Sequence, residues 1–468
     1  MRTFIKEKHL RNSMDLALLK EANPWWNDRS WAEKDFHLSN LRKHPIKWEY
    51  TVIKDFSEGI YSLRGPRQVG KTSWIKQKIS ELLAKTPPAS IFFYSCDNLT
   101  KEELHEAILL FIELASPGKK FILLDEIPFI KDWEMTIKHL YDSGKLKDCF
   151  VLLCGSSSID MKRSTERLPG RGDAGKRHFT MHPLLFSEYL KVAGLDLALT
   201  GQKTKDEAKL KLHLKELAKA YTDYLLTGGF LKIINEYHET KTISDASYDV
   251  YLKWIIGDLA KLNLKEKYAK QVLRRVMETA SSEVSWSSVK SGTDIDTHNT
   301  IAKYVEALEE MFVLNVIYKM DFNKKIPDYP KSKKIYPSDP FILSCAYKWV
   351  NSTEDNFNKY RAYLEQNIDK ISEGAFLNQL VRIITRKNKS NVFNYSDVIY
   401  YWTNKAKTKE VDFVYKKKAF EVKYKAEIKP SDYKGLADFP EGYLLSKQSF
   451  AKRTYPLPAF LLLLERLI

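Results

Sequence analysis

Two groups of residues in this 468-residue chain have the types and spacing to do chemistry. The first is GPRQVGKTS, which fits GxxxxGK[ST] at Gly65, Gly70, Lys71 and Thr72. A run of Gly65, Pro66, Arg67, Gln68, Val69 and Gly70 lets backbone N–H groups curl around phosphate oxygens. A helix opening at Lys71, Thr72 and Ser73 then directs its positive end at them. Lys71 suits the β- and γ-phosphates of ATP, and the Thr72 hydroxyl suits Mg²⁺. Further on, FILLDEI ends an apolar run in two acids. Asp125 suits the water shell of the metal and Glu126 the polarising of an attacking water. An ordinary strand end with two solvated acids is the plain alternative.

CGSSS closes another apolar run and offers Ser156 and Ser157 as sensors of the γ-phosphate, although Gly-Ser runs are also common turns. Arg163, Arg167, Arg171 and Arg177 crowd the next stretch. One of them is a candidate transition-state arginine, acting in cis or from a neighbouring subunit; any single one also reads as a surface charge.

The second group is Asp412, Glu421 and Lys423, spaced D-x8-E-x-K. Two carboxylates can hold Mg²⁺, which neutralises a scissile phosphate and acidifies a bound water; the lysine positions that water or offsets developing charge. Glu373, in SEGAFLNQLVRII, would reach in from a preceding helix as a fourth member. A sparse site is enough for Mg²⁺, which keeps waters and substrate phosphates. By itself the pattern also describes a salt-bridged polar face.

These residues need elements to hold them. From 60 to about 185, short apolar runs alternate with amphipathic stretches, which predicts a parallel sheet sandwiched by helices. Ahead of it, residues 1–50 read as an irregular or helical leader with an aromatic knot at NPWWNDRSW. Residues 186–265 lose the strands and read as a helical lid with a break at Gly228 and Gly229. Past 346 the chain reads as α+β: a helix over 358–387, then strands. EVDFVY and AFEVKYK form a hairpin through Lys416 to Lys418, with Phe420, Val422 and Tyr424 on the core face and Glu421, Lys423 and Lys425 on the other.

Composition narrows the class. With 44% hydrophobic residues the chain can bury sizeable cores, and its length suggests two to four domains. Lys and Arg exceed Asp and Glu by 76 to 60, and +9 of the net +16 falls in residues 381–460. A basic module there predicts a polyanionic partner, DNA above all, with general solubility as the plain alternative. Cys96, Cys149, Cys154 and Cys345 show no CxxC spacing and read as buried free thiols of a reducing compartment. The N-terminus lacks a signal-peptide core, and no apolar run approaches the ~20 residues of a membrane span, which predicts a soluble cytoplasmic protein with no membrane partner.

NPWW, GPRQVGKTS, FILLDEI…WE…LYDSG, CGSSS, LPGRG…HPLLFSEYL and YLLTGGF occur in an order that resembles prokaryotic, mostly archaeal, AAA-type P-loop ATPases. In these the ATPase is followed by a winged-helix region and a C-terminal domain resembling PD-(D/E)xK nucleases. The resemblance covers nearly the whole chain. It implies an ASCE-type sheet, the catalytic glutamate at Glu126, an arginine near LPGR that favours Arg171, and nuclease positions at Asp412, Glu421 and Lys423. No proline precedes Asp412; Val411 stands there. The implied fold is α/β: a P-loop core over 51–185, the lid, a winged helix over 266–345 and a restriction-endonuclease-like domain over 346–468. ATP and Mg²⁺ are the cofactors, and a homo-oligomer is possible in such a protein.

Within 266–345, DIDTHNTIAKYVEALEEM would be the recognition helix, capped by Asp296 or Thr297, with Ile301, Val305, Leu308 and Phe312 on its apolar face. His298, Asn299, Lys303 and Tyr304 would be left for DNA, while Glu306, Glu309 and Glu310 oppose it. A non-cutting, ATP-gated regulatory switch whose C-terminal domain binds nucleic acid or protein is the alternative.

Overall fold

A computed structural model describes residues 15–156, 161, 177–321, 323–330, 332–390 and 393–468. They fall into two compact units: Met1–His182 with Asn388–Phe393, and Pro183–Lys387 with Asn394–Ile468.

The first unit is built on five strands: β1 (Gly59–Arg64), β2 (Ile91–Ser95), β3 (Lys120–Asp125), β4 (Cys149–Gly155) and β5 (His178–Thr180). They run parallel in the order β2-β3-β4-β1-β5. Continuous apolar runs suit strands covered on both faces, and every residue of β4 is buried. The helices Lys71–Leu82, Lys101–Leu114 and Trp133–Asp142 supply the cover; Thr100 and Glu103 close a capping box at the start of the second. One core cluster joins Phe111, Ile122, Ile137 and Val151. This is the parallel sheet with flanking helices expected of a P-loop ATPase.

The aromatic knot covers the outer edge of this sheet. Asn23 Oδ1 accepts the Phe93 N–H at 2.7 Å, and Trp25 and Trp26 both donate their indole N–H to the Ile91 carbonyl. Backbone groups that β2 would otherwise leave open are thereby satisfied. Lys76, from the helix Lys71–Leu82, ends 3.9 Å from the Phe93 ring centroid and 3.7 Å from Asp35 Oδ2, with Trp25 and Trp31 beside it. Burial lowers its pKa.

The second unit holds β6 (Leu314–Asp321), β7 (Ile326–Pro327), β8 (Lys333–Pro337), β9 (Ile399–Thr403), β10 (Glu410–Tyr415), β11 (Lys418–Lys423), β12 (Glu441–Ser446) and β13 (Thr454–Pro456). Their order is β13-β12-β11-β10-β9-β6-β7, with β8 paired to β6. The sheet therefore runs across the expected boundary at 345, which falls inside the helix Pro340–Asn351. The expected lid departs from its reading in the same way. Helices Leu214–Thr227 and Asp245–Lys261 pack on Pro340–Asn351, and the former also on Asn356–Lys387 and Leu457–Leu467, so 186–265 is part of this unit's own core.

The break at Gly228 and Gly229 is a close approach. Gly228 has φ +59°, and a Cβ there would lie 1.8 Å from Asp339 Oδ1. Asp339 accepts the Gly229 N–H at 3.0 Å and pairs with Arg382 at 2.6 Å; Arg382 also donates to the Leu184 carbonyl and the Tyr224 hydroxyl.

Residues 266–337 run helix Glu266–Glu278, an antiparallel bridge Val284–Lys333, helix Trp286–Lys290, helix His298–Glu310, β6 and β8. Thr297, not Asp296, caps the third helix by accepting the Thr300 N–H. Ile301, Val305 and Leu308 are buried as the periodicity predicts. Two details differ. Phe312 lies past the helix end at φ +58°, and Tyr304 is buried, its hydroxyl accepting the Lys265 N–H at 2.7 Å. The helix is tightly packed on its neighbours, so Tyr304 is not available to a ligand, whereas His298, Asn299 and Lys303 are exposed.

Candidate functional sites

In the first unit the chemistry gathers at the carboxyl ends of the parallel strands, where open α/β sheets bind ligands. β1 ends into the Gly65–Gly70 loop, β3 ends at Asp125, and β4 ends at Gly155 beside Ser156. Gly70 sits at φ +104°, a conformation that favours glycine, and precedes the helix Lys71–Leu82. Gln68 is also at positive φ, Val69 is buried, and the Arg67 guanidinium lies 5.9 Å from the Phe129 ring. Pro66 contributes its carbonyl. The buried Lys71 ammonium donates to the Gly65 and Pro66 carbonyls at 2.9 and 3.0 Å, and Ser73 sits half-buried in the same first turn.

Thr72 Oγ1 donates to Asp125 Oδ2 at 2.6 Å. Burial raises the Asp125 pKa against the pull of that bond. These two side chains put hard oxygens side by side, the donor set Mg²⁺ takes, and the ion bound there would neutralise phosphate charge. Glu126 stands at φ +50° in the next position. Its Oε2 accepts both the Ser156 N–H at 3.2 Å and the Ser156 hydroxyl at 2.9 Å. Glu126 is thus tied to the end of β4, and Ser156 reaches its carboxylate directly. Ser157, Arg163, Arg167 and Arg171 lie outside the described residues. Arg177 is described and stacks on Tyr61, 5.2 Å from its ring centroid.

All four cysteines are buried and unpaired, and burial raises the thiol pKa of each.

In the second unit the hairpin forms as read. β10 and β11 pair antiparallel with Phe413 opposite Phe420 and Tyr415 opposite Lys418, closed at Lys416 and Lys417. Between Val411 and Val414, across Asp412 and Phe413, the pairing with β9 shifts register, an irregularity of the kind that re-aims a side chain. The acids on the polar face lie inside the protein. Asp412, Glu421 and Glu373 are all buried, as are Phe420, Val422 and Tyr424 on the other side; only Lys423 keeps partial exposure.

Asp412, Glu421, Lys423 and Glu373 do come together, around a residue the sequence reading passed over. Lys334, from β8, has its ammonium 2.7 Å from Glu410 Oε1, 3.0 Å from Asp412 Oδ1 and 3.1 Å from Glu373 Oε1. Tyr336 donates its hydroxyl to Glu373. Lys423 Nζ is 2.6 Å from Glu421 Oε1, and Asp412 Oδ2 accepts the Val422 N–H at 2.9 Å. Burial, then the Asp412 charge, pushes Glu373 up to about 7 and Glu421 up to about 8. Burial works against the charge of Asp412 too, but Lys334 and Lys423 outweigh it and hold its carboxyl below the usual range. Among the described residues no group of three or more His, Cys, Asp or Glu is arranged to hold a metal ion. Lys334 stands where that ion would sit, so the carboxylates as placed do not fit Mg²⁺. In KSKKIYPSDP, Lys334 is one of three closely spaced lysines, and only the KKIYP run hints at the strand that carries it.

Residues 57–190 match a family described as AAA domain. Residues 218–353 and 371–454 match two families described as domains of unknown function, DUF8612 and DUF4143. An uncharacterized protein of Methanocaldococcus jannaschii is 26% identical over 175 residues, 34% of this chain and 35% of its own length. The chain thus spans about a third of that relative. A second from the same organism is 24% identical over 337 residues, covering 69% and 71%. The Walker-type ATPase of Pyrococcus abyssi aligns at 14% identity and TM-score 0.38, covering 68% of this chain and 95% of that one. The ORC1 protein of Aeropyrum pernix, solved in complex with DNA, aligns at 12% and 0.30, covering 65% and 88%.

Proposed function

We propose, from residues 57–190 as an AAA-type P-loop ATPase domain, that the chain hydrolyses ATP with Mg²⁺ and acts on DNA through its second unit. The observation that carries the first half is the convergence of Lys71, Thr72, Asp125, Glu126 and Ser156 at the carboxyl ends of the parallel strands. In this reading Lys71 and the loop N–H groups bind the phosphates, while Thr72 and Asp125 hold the metal. Glu126 takes a proton from the attacking water, Ser156 orients Glu126, and Arg171 supplies positive charge in cis or from a second copy.

The DNA half rests on the basic composition of 381–460 and on the exposed His298, Asn299 and Lys303 at the start of a helix in winged-helix order. For the restriction-endonuclease-like region two readings compete. Asp412, Glu421, Glu373 and Lys423 are the set a Mg²⁺-dependent nuclease uses. The position of Lys334 favours the other, in which this region binds nucleic acid and cuts nothing.

A combined assay tests both halves. Lys71→Ala removes ATP hydrolysis; hydrolysis that survives it sinks the phosphate site. DNA affinity should fall steeply with salt, and affinity indifferent to salt sinks the DNA reading. Mg²⁺-dependent cleavage by the wild type, lost in Asp412→Ala, would decide for the nuclease.

A further inference from the structure

The C-terminal carboxylates surround an ammonium, and their spacing is that of ion pairs. An ammonium has donors and no acceptor, and Lys334 donates to Glu373 Oε1 and Asp412 Oδ1 at 3.1 and 3.0 Å, with Glu410 Oε1 paired to it at 2.7 Å. Those separations match N⁺–H···O⁻ bonds. Mg²⁺ binds oxygen at roughly 2.0–2.1 Å, so an ion at the same point would need every oxygen to draw inward by roughly 0.6–1 Å.

Other oxygens of the set are committed as well. Asp412 Oδ2 accepts the Val422 N–H, Glu421 Oε2 accepts the Asp412 N–H at 3.2 Å, and Glu421 Oε1 pairs with Lys423. Lys334 is not a mobile surface residue that has swung in. Its side chain is 1% exposed, and its backbone is paired in the sheet opposite Ile317.

We infer that Lys334 is the resident cation of this cluster, taking the place of a divalent ion, so that the site holds no metal while Lys334 is present. The inference rests on the nuclease-like reading of this region. It makes Lys334 the residue that separates a cutting from a non-cutting version of the same carboxylate set: a positioning residue for Glu373, Glu410 and Asp412 that closes the site to metal.

The test is Mn²⁺ titration of the full-length, nucleotide-free protein, with free Mn²⁺ followed by electron paramagnetic resonance. Wild type and Asp412→Asn should bind the same number of Mn²⁺ ions. Lys334→Ala should gain one equivalent, and Lys334→Ala with Asp412→Asn should lose it again. Lys334→Ser, which also vacates the position of the ammonium, serves as a second opening variant. A wild-type Mn²⁺ site abolished by Asp412→Asn overturns the inference even if neither Lys334 variant folds. So do folded Lys334 variants that gain no ion. Failure of DNA binding with unchanged Mn²⁺ counts would sink the nucleic-acid reading and leave the Lys334 assignment standing.

Discussion

Thr72 and Asp125 are joined by a 2.6 Å hydrogen bond that ties the first turn after the phosphate loop to the end of β3. The bond aligns two hard oxygens that come from segments far apart in the chain. Thr72→Ala removes one of them without disturbing a large side chain. ATP hydrolysis should fall by about 10²-fold or more, by analogy with the loss of one preorganised polar group in an active site. Steady-state phosphate release checks this, and a melting temperature within a few degrees of wild type shows that the effect is chemical.

Asn23 and Phe93 give a structural counterpart. Asn23→Ala would leave the Phe93 N–H, now bonded at 2.7 Å in a fully buried place, without its acceptor. The expected loss is about 1–3 kcal/mol of stability of the first unit, read by urea unfolding. Asn23→Asp, which keeps the acceptor, should lose less.

Arg382 and Asp339 form a buried pair at 2.6 Å that also anchors Gly229, Leu184 and Tyr224. Arg382→Met should cost about 3–5 kcal/mol, because it strands a buried carboxylate. Adding Asp339→Ala should cost less than the sum of the two single changes, since the stranded charge goes with it. A double-mutant cycle in denaturant measures the difference.

His178 sets a pH dependence. Its Nδ1 shares a 2.7 Å hydrogen bond with Ser62 Oγ, and burial, with Arg64 nearby, lowers its pKa to about 4. The unfolded chain protonates this ring near the ordinary value of about 6.5, while the folded chain resists. The unfolded state therefore binds more protons between those values, and stability falls as pH drops through this window. At pH 7.5 the effect is absent. His178→Gln should flatten the decline in melting temperature between pH 7 and pH 4.5, and an unchanged slope would count against it.

Local pattern carried the first site almost whole. Gly65 to Thr72 are contiguous, and the Asp125–Glu126 pair and Ser156 each close an apolar run, so the parallel pairing of adjacent strands brings them to one end of the sheet. The hairpin was legible for the same reason: its alternation and its turn are all within Glu410 to Lys423. Less legible were the limits of the domains. A helical stretch such as Leu214–Thr227 shows an apolar face in sequence but not which neighbour covers it, and here the cover is Pro340–Asn351, more than a hundred residues on.

By itself, the sequence determined the phosphate loop, the acids that follow it, and the spacing of Asp412, Glu421 and Lys423. These depend on short-range geometry, in which residue type and period dictate conformation. Only the tertiary structure decided that the carboxylates are buried and that Lys334 stands among them. Lys334 reaches Asp412 across 78 positions through the pairing of β8 with β6 and a register shift in β10. A cation's partner at that separation is set by strand order and burial, and no local pattern of lysines records it.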